Sequence, residues 1–328
     1  MSISAQPGVD QRGVAQGGAA DRSLVRRLRG RQDRNVWFWV FVGPFFLGLL
    51  VFVYIPILWS IYLSFFDARN TVTPTRFVGL GNYAYLLSDD AFLSSMGTFI
   101  LFALFIVPVT FASSLGLALL VSKAKVAQAF FRSVFFLPTA CSYVIAALIW
   151  RLSFFSGARF GLLNSVLRSL GLENVNWLGG GNYWYWVVLV SLRLWLQVGF
   201  YMILFLAGLQ RIPTDTYEAA AIDGAQGWRV FRYITLPQLR ATSLAVLLLL
   251  FIGAFQAFDE FYNTLISVGG YPPFARPPLV YLYLISLGGG TQDLGLGSAG
   301  TIILTLVIAV FGVAQLKLAS IGSKEERA

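Results

Sequence analysis

Six stretches of this chain are each long and apolar enough to cross a lipid bilayer, and that leaves few folds open to it. A helix needs about 20 apolar residues to span the hydrocarbon core. Inside that core no water is present to satisfy backbone N–H and C=O groups, so a spanning segment must satisfy its own, as a helix does. The six runs are Val36 to Ile57, Phe92 to Val121, Ser133 to Leu152, Tyr185 to Ala207, Ala241 to Tyr262 and Ser298 to Leu318. Of the 328 residues, 57% are hydrophobic and 12% charged, against roughly 25% charged in an average soluble domain. The expected fold class is therefore all-α, a polytopic membrane protein with six transmembrane helices. Three regions follow: a basic tail over residues 1–34, a transmembrane domain over 35–320, and a short tail over 321–328.

Charge sets the expected orientation. The net charge of +9 would suit nucleic acid or an anionic membrane surface, so its distribution decides between them. Arg22, Arg26, Arg27, Arg29, Arg31 and Arg34 crowd the stretch before the first run without interleaved aromatics. That is a cytoplasmic membrane flank rather than a nucleic-acid surface. With both termini inside, 17 of the 24 Lys and Arg residues fall on cytoplasmic segments, six fall outside, and Arg193 lies within a span. The positive-inside rule agrees with that assignment. No cleavable signal peptide is expected, because the first apolar run is longer than a signal-peptide core. A chain without histidine and with the single cysteine Cys141 has no intramolecular disulfide and no His/Cys zinc site in prospect.

The loop between the fourth and fifth runs, YEAAAIDGAQGWRVFRYITLP from Tyr217 to Pro237, is alanine-rich and charged. Pro213 suits a first helical turn, and Asp215 with Glu218 has the spacing of a reciprocal N-cap. Gly224 suits the left-handed residue that ends a helix. A second short helix is expected over Trp228 to Ile234, stopping before Pro237 because the residue before proline is pushed out of the helical region. Ala219, Ala220, Ala221 and Ala225 give the first helix little bulk. So short a helix is marginal alone in water, and its small side chains favour docking in a groove.

The order E-A-A-x-x-D-G-A, then F-x-x-I-x-L-P, resembles the EAA loop of permease subunits of binding-protein-dependent ABC importers. It stands here as Glu218, Ala219, Ala220, Asp223, Gly224, Ala225, Phe231, Ile234, Leu236 and Pro237. FVGLGNY at Phe77 to Tyr83, FRSVFFLP at Phe131 to Pro138, LAGLQRIP before the loop and FQAFDEFY at Phe255 to Tyr262 extend the resemblance, and place it in the sugar-permease branch. The resemblance implies a type I importer permease fold in a prokaryotic cell membrane, with a cytoplasmic coupling helix between spans four and five. The coupling residues it implies are Tyr217, Glu218, Ala219, Ala220, Asp223, Gly224, Ala225 and Pro237. It also implies partners: a second, non-identical permease, two ATPase subunits and an extracytoplasmic substrate-binding protein, for a carbohydrate cargo. The chain carries no Gly-x-x-x-x-Gly-Lys-[Ser/Thr] sequence, so ATP and magnesium belong to the partner ATPase and no cofactor or nucleic acid is expected here.

Charged and polar side chains within a span are expensive there and mark function by default. Arg193 and Gln197 share a face of the fourth run. Gln256, Asp259 or Glu260, and Asn263 form a polar stripe at the outer end of the fifth, with Tyr262, Phe255, Phe258 and Trp195 at hand. Polar forks beside aromatic faces suit a sugar, so Arg193, Gln197, Gln256, Asp259, Tyr262 and Asn263 are the expected translocation path. The competing expectation is that Arg193 pairs with a carboxylate simply to hold helices together. Between runs three and four, Gly157 to Gly171 is expected to hold a helix on the membrane face, with Arg159, Asn164, Arg168 and Ser169 on its polar side. NYWYW at Asn182 to Trp186 is an expected aromatic belt, and Gly269 to Pro278 an expected loop. Gly295, Gly297, Ser298, Ala299 and Gly300 suit either close helix packing or an external mouth.

An ion-coupled transporter or channel would place acidic groups at mid-membrane, whereas the clear midplane charge here is an arginine. An intramembrane enzyme would need a histidine, a metal cluster or paired carboxylates, and none is legible.

Overall fold

The computed structural model describes residues 36–124, 126–159, 161–179, 183–267 and 270–325. The tail over 1–34 with its arginines, and Lys125, Phe160, Asn182, Gly269 and residues 326–328, lie outside the described residues. The chain divides into two units, residues 1–62 and 63–328. The described part of the first lies in helix α1, Val36–Leu63, whose apolar side chains are largely exposed up to Tyr62.

The second unit begins with a two-stranded antiparallel ribbon, β1 (Phe66–Asp67) against β2 (Arg76–Phe77). A short helix α2 (Gly81–Ser88) leads into α3 (Asp90–Lys123), 34 residues long. Asp89 caps α3 by accepting from the Phe92 N–H at 3.0 Å, and the Tyr281 hydroxyl donates to the same carboxylate at 2.5 Å. One orphan N–H and one distant helix are thus tied to a single side chain. The other long helices are α7 (Trp184–Leu209) and α13 (Leu294–Glu325). Four described helices, α1 among them, are long and apolar enough to cross a membrane, and the number reaches six if each of two bent pairs is one span.

The bent pairs are where the structure departs from six straight runs. The third run is α4 (Gln128–Ala140) and α5 (Tyr143–Phe154), set at 95° across Cys141 and Ser142. Pro138 removes an N–H from the closing 3₁₀ turn, and Ser142 is extended at ψ 138°. The second bent pair is α9 (Trp228–Gln238) and α10 (Arg240–Phe255), set at 71° across Leu239. Beyond it the fifth run ends early: α10 stops, residues 256–258 break the ladder, and α11 (Asp259–Leu265) begins. Polar residues at the break and packing of Phe261 on Phe102, rings 4.9 Å apart, outweigh the apolar periodicity that suggested one helix.

Three segments expected between runs differ in detail from their sequence reading. Asn164 is fully buried rather than on a polar face of α6 (Leu162–Ser169). Its amide donates to Ser156, Ala158 and Val175 carbonyls, and its oxygen accepts from the Val175 N–H and Trp177 Nε1. Leu163 and Leu167 pack inward with it, while Leu162, Val166 and Leu170 are exposed. In the expected aromatic belt Tyr183 is exposed, but Tyr185 is buried against Trp186 and Phe274. The loop before α12 (Pro278–Ser286) holds a 3₁₀ turn at Pro273–Ala275, and burial pushes the Tyr271 hydroxyl well up from its ordinary pKa as it donates to the Ala275 carbonyl.

The core forms where α3, α7, α10 and α11 meet, around Phe102, Ile106, Leu189, Met202, Phe205 and Leu250. Small residues set the closest approaches. A side chain at Gly295 would strike the Phe66 carbonyl, and one at Gly297 the Ser286 hydroxyl, so these residues serve packing. Gly199 of α7 lies directly on the backbone carbonyl of Phe135 in α4. Gly199→Val is therefore expected to cost at least about 3 kcal/mol, the upper end of overpacking penalties. Gly116→Ala on α3, with open space around it, is expected to be silent. Thermal stability and yield of the detergent-solubilised protein measure both; equal values for the two variants would contradict the Gly199 contact.

Candidate functional site

Two places gather the expected functional residues. The first follows α7. Pro213 is the N-cap of α8 (Thr214–Ile222), extended at ψ 140°, and no side chain caps this helix. The reciprocal cap expected from Asp215 and Glu218 is absent because the helix starts at Thr214, two residues earlier than that spacing requires, leaving Asp215 inside the first turn. There it still faces the positive end of the helix dipole. The other end is as expected: Gly224 is left-handed at φ +73°. Ala225 N–H reaches the Ala220 carbonyl at 2.9 Å and Gly224 N–H the Ala221 carbonyl at 3.1 Å, the paired closure of a Schellman motif.

Of α8 only Ala220 is buried. Glu218, Ala219, Asp223 and Gly224 are exposed, Ile222 is 87% exposed, and Tyr217 is turned inward, its hydroxyl 3.3 Å from that of Thr235. The second helix, α9 (Trp228–Gln238), does not stop before Pro237. A π turn over Phe231–Thr235 closes with Leu236 N–H on the Phe231 carbonyl, one residue before the proline. Widening the turn moves the proline ring away from the carbonyl it would otherwise strike, so the helix continues to Gln238. α1 repeats the device at Leu50–Tyr54, one residue before Pro56 in the sequence that follows Ile55. α9 then meets α10 at 71°. A cleft of about 780 Å³ opens beneath the loop, walled by Leu119, Lys123, Leu206, Tyr217, Trp228 and Phe231.

The second place lies at the two helix breaks. Arg193, 4% exposed in its side chain, is ion-paired through Nη1 with Glu260 of α11, 3% exposed. Its Nε donates to Gln197 Oε1 at 3.1 Å, and Gln197 Nε2 donates to the Tyr143 hydroxyl at 2.7 Å. The guanidinium stands over the Phe102 ring at 5.4 Å. On α10 a Cβ at Gly253 would come within 3.1 Å of Arg193 Nη2, so this glycine leaves room for the guanidinium. One polar chain thereby joins α3, α5, α7 and the broken α10–α11 pair.

Arg193 and Gln197 are brought together as expected from their spacing. Of the two adjacent carboxylates, Glu260 turns inward to Arg193, while Asp259 is exposed. Gln256 is exposed, and Asn263 donates to the Asp259 backbone carbonyl at 2.8 Å. Tyr262 stacks on Phe258 at 5.2 Å and on Tyr271 at 6.1 Å, nearly parallel to both. A cavity of about 220 Å³ sits at the bend between α4 and α5, lined by Thr139, Cys141, Tyr143, Gln197, Phe200 and Tyr201. Tyr143, Tyr201 and Thr139 were not legible as site residues, because it is the bend that gathers them. Among the described residues no cluster of three His, Cys, Asp or Glu side chains suits a metal ion.

Membrane-length helices, breaks at 141–142 and 256–258 beside buried polar groups, and an exposed small-residue helix on a closed turn mark a multi-pass membrane protein. Residues 109–319 match the family described as binding-protein-dependent transport system inner membrane component, and the chain belongs to that family, the permeases of ABC importers. It is 31% identical over 300 residues to the trehalose/maltose transport system permease protein MalF of Thermococcus litoralis, covering 91% of this chain and 98% of that one. It is 33% identical over 276 residues to the osmoprotective compounds uptake permease protein GgtC of Synechocystis, covering 82% and 94%. Its fold is similar to that of a chain in the bacterial alginate ABC transporter in complex with alginate pentasaccharide-bound periplasmic protein, at TM-score 0.76 and 22% identity, over 88% and 96% of the two chains.

Removing one partner of a buried ion pair leaves an uncompensated charge and costs about 3–5 kcal/mol, whereas replacing both with apolar groups is often neutral. Glu260→Leu is expected to deplete folded protein, and Arg193→Met with Glu260→Met to restore it. Size-exclusion profiles of the solubilised protein read this out; a well-folded Glu260→Leu would contradict the pairing.

Proposed function

We propose that this chain is one permease of an ATP-driven importer of a neutral carbohydrate or polyol, driven through α8 by ATPase subunits it does not contain. The observation that carries the reading is α8 itself: a short helix with one buried residue, an exposed Glu218, Ala219, Ile222 and Asp223 surface, and a glycine-closed end. A helix so placed gains its remaining contacts from a partner. The six-span reading, with the bent pairs counted as spans three and five, puts both termini and this loop in the cytoplasm, where ATP is, as the distribution of positive charge requires. Tyr217, Glu218, Ala219, Ala220, Asp223, Gly224 and Ala225 form the coupling contact, and Pro237 sets the angle of α9 against α10.

A second permease, two ATPases with their ATP and magnesium, and an extracytoplasmic binding protein complete the machine. The alginate transporter's complex with a periplasmic protein supports the last of these. Relatives named for trehalose/maltose and for osmoprotective compounds support a carbohydrate or polyol cargo. The cavity at the α4–α5 bend supports it from this chain's side: hydroxyls of Thr139, Tyr143 and Tyr201 and the Gln197 amide stand beside the ring of Phe200, and the nearby charges cancel. Polar groups that hydrogen-bond beside an aromatic face suit a polyhydroxy compound. Gln256, Asp259, Tyr262 and Asn263 continue the path along the fifth span. ATP binding would close the partner subunits, move α8 with them and turn the permease pair outward.

Gly224 has open space around it, so a side chain there acts through φ alone. A β-branched residue held left-handed costs roughly 1–3 kcal/mol. In proteoliposomes holding the complete importer, Gly224→Val is expected to leave the subunits assembled and hydrolysing ATP while uptake is lost. Wild-type uptake in that variant would sink the coupling assignment.

A further inference from the structure

Glu260, Arg193, Gln197 and Tyr143 form a chain in which each member determines the next. Arginine has donors and no acceptor, so the oxygen of Gln197, not its nitrogen, faces Arg193 Nε. The Gln197 NH₂ therefore faces Tyr143, and the phenol oxygen must accept. A phenol that accepts from within keeps its own proton to give away. On the Tyr143 side that proton has the cavity at the α4–α5 bend before it.

We propose that Arg193 and Glu260 act as a positioning pair which fixes the amide orientation of Gln197 and so commits Tyr143 to present a hydrogen-bond donor to the cavity. The pair itself touches no cargo. Glu260 holds the guanidinium in plane, the Phe102 ring and Gly253 shape its berth, and the ordering passes along the chain. Resting on the cargo reading above, this names the chemistry at that point of the site: a cargo oxygen with a free lone pair, a hydroxyl, ring or glycosidic oxygen, rather than an N–H. It also explains why an arginine is tolerated so deep. An arginine that met cargo directly would favour anions, whereas one closed on Glu260 lends polarity without net charge.

Cys141 lines the same cavity and reports on it without knowledge of the cargo. Arg193→Lys keeps a cation for Glu260 and loses the planar fork that also holds Gln197. In the complete importer in proteoliposomes, N-ethylmaleimide modification of Cys141, read by mass spectrometry, is expected to be about five-fold faster in Arg193→Lys and in Gln197→Ala than in wild type, the effect of one lost hydrogen bond. The subunits are expected to co-purify normally in both. Arg193→Lys that assembles and labels at the wild-type rate overturns the proposal. If Arg193→Lys does not assemble, Arg193→Met with Glu260→Met takes its place with the same readout, and failure of both to assemble makes the pair a purely structural tie and equally overturns it. Uptake of labelled trehalose, maltose and lactose tests the cargo reading separately. If Tyr143→Phe leaves the apparent KM unchanged while Arg193→Lys still accelerates labelling, the positioning stands and the cargo assignment of the cavity falls.

Discussion

Hydrocarbon offers no partner to a peptide group, and the architecture follows from where the chain obeys that constraint and where it escapes it. Along α7 and α13 the helix runs without a break, and α3 runs on through Pro108, which has no N–H to offer. At 141–142 and 256–258 the ladder fails, and there other groups stand in. The Cys141 N–H turns back to the Pro138 carbonyl, and the Ala257 N–H to the Ala254 carbonyl. Irregular backbone is tolerated at membrane depth only where protein surrounds it or a polar cavity adjoins it, and the α4–α5 bend has both.

The same two breaks mark the limit of what the linear sequence conveys. Apolar run lengths were enough to place the four membrane-length helices among the described residues, because hydropathy is a local property. The left-handed Gly224 was legible for the same reason: only glycine takes that conformation without cost. The bends were not legible, since nothing local separates a proline that breaks a helix, Pro138, from one that a π turn carries through, Pro237. Asn164 was misplaced to a polar face because helical spacing ignores carbonyls brought in from Ser156 and Val175.

The candidate site shows the difference residue by residue. Arg193 and Gln197 announced themselves as polar groups one turn apart in an apolar run. Whether Asp259 or Glu260 would meet the arginine depended on the direction in which α11 leaves the break, which periodicity through Tyr262 could not supply. Tyr143 and Tyr201 looked like two of 14 tyrosines in a chain where 16% of residues are aromatic. Only the 95° bend makes them neighbours of a cavity.

Where Gly199 rests on the carbonyl of Phe135, two helices meet backbone to backbone with no side chain between them. Interdigitated side chains resist rotation because rotamers must change together as ridges leave their grooves. A bare contact has no teeth to disengage. It fixes the closest distance between α7 and α4 only two residues along α7 from the cavity wall at Gln197, and the Thr139 hydroxyl on the Leu196 carbonyl ties the same two helices beside it, so the cavity is built next to the least yielding contact of the pair.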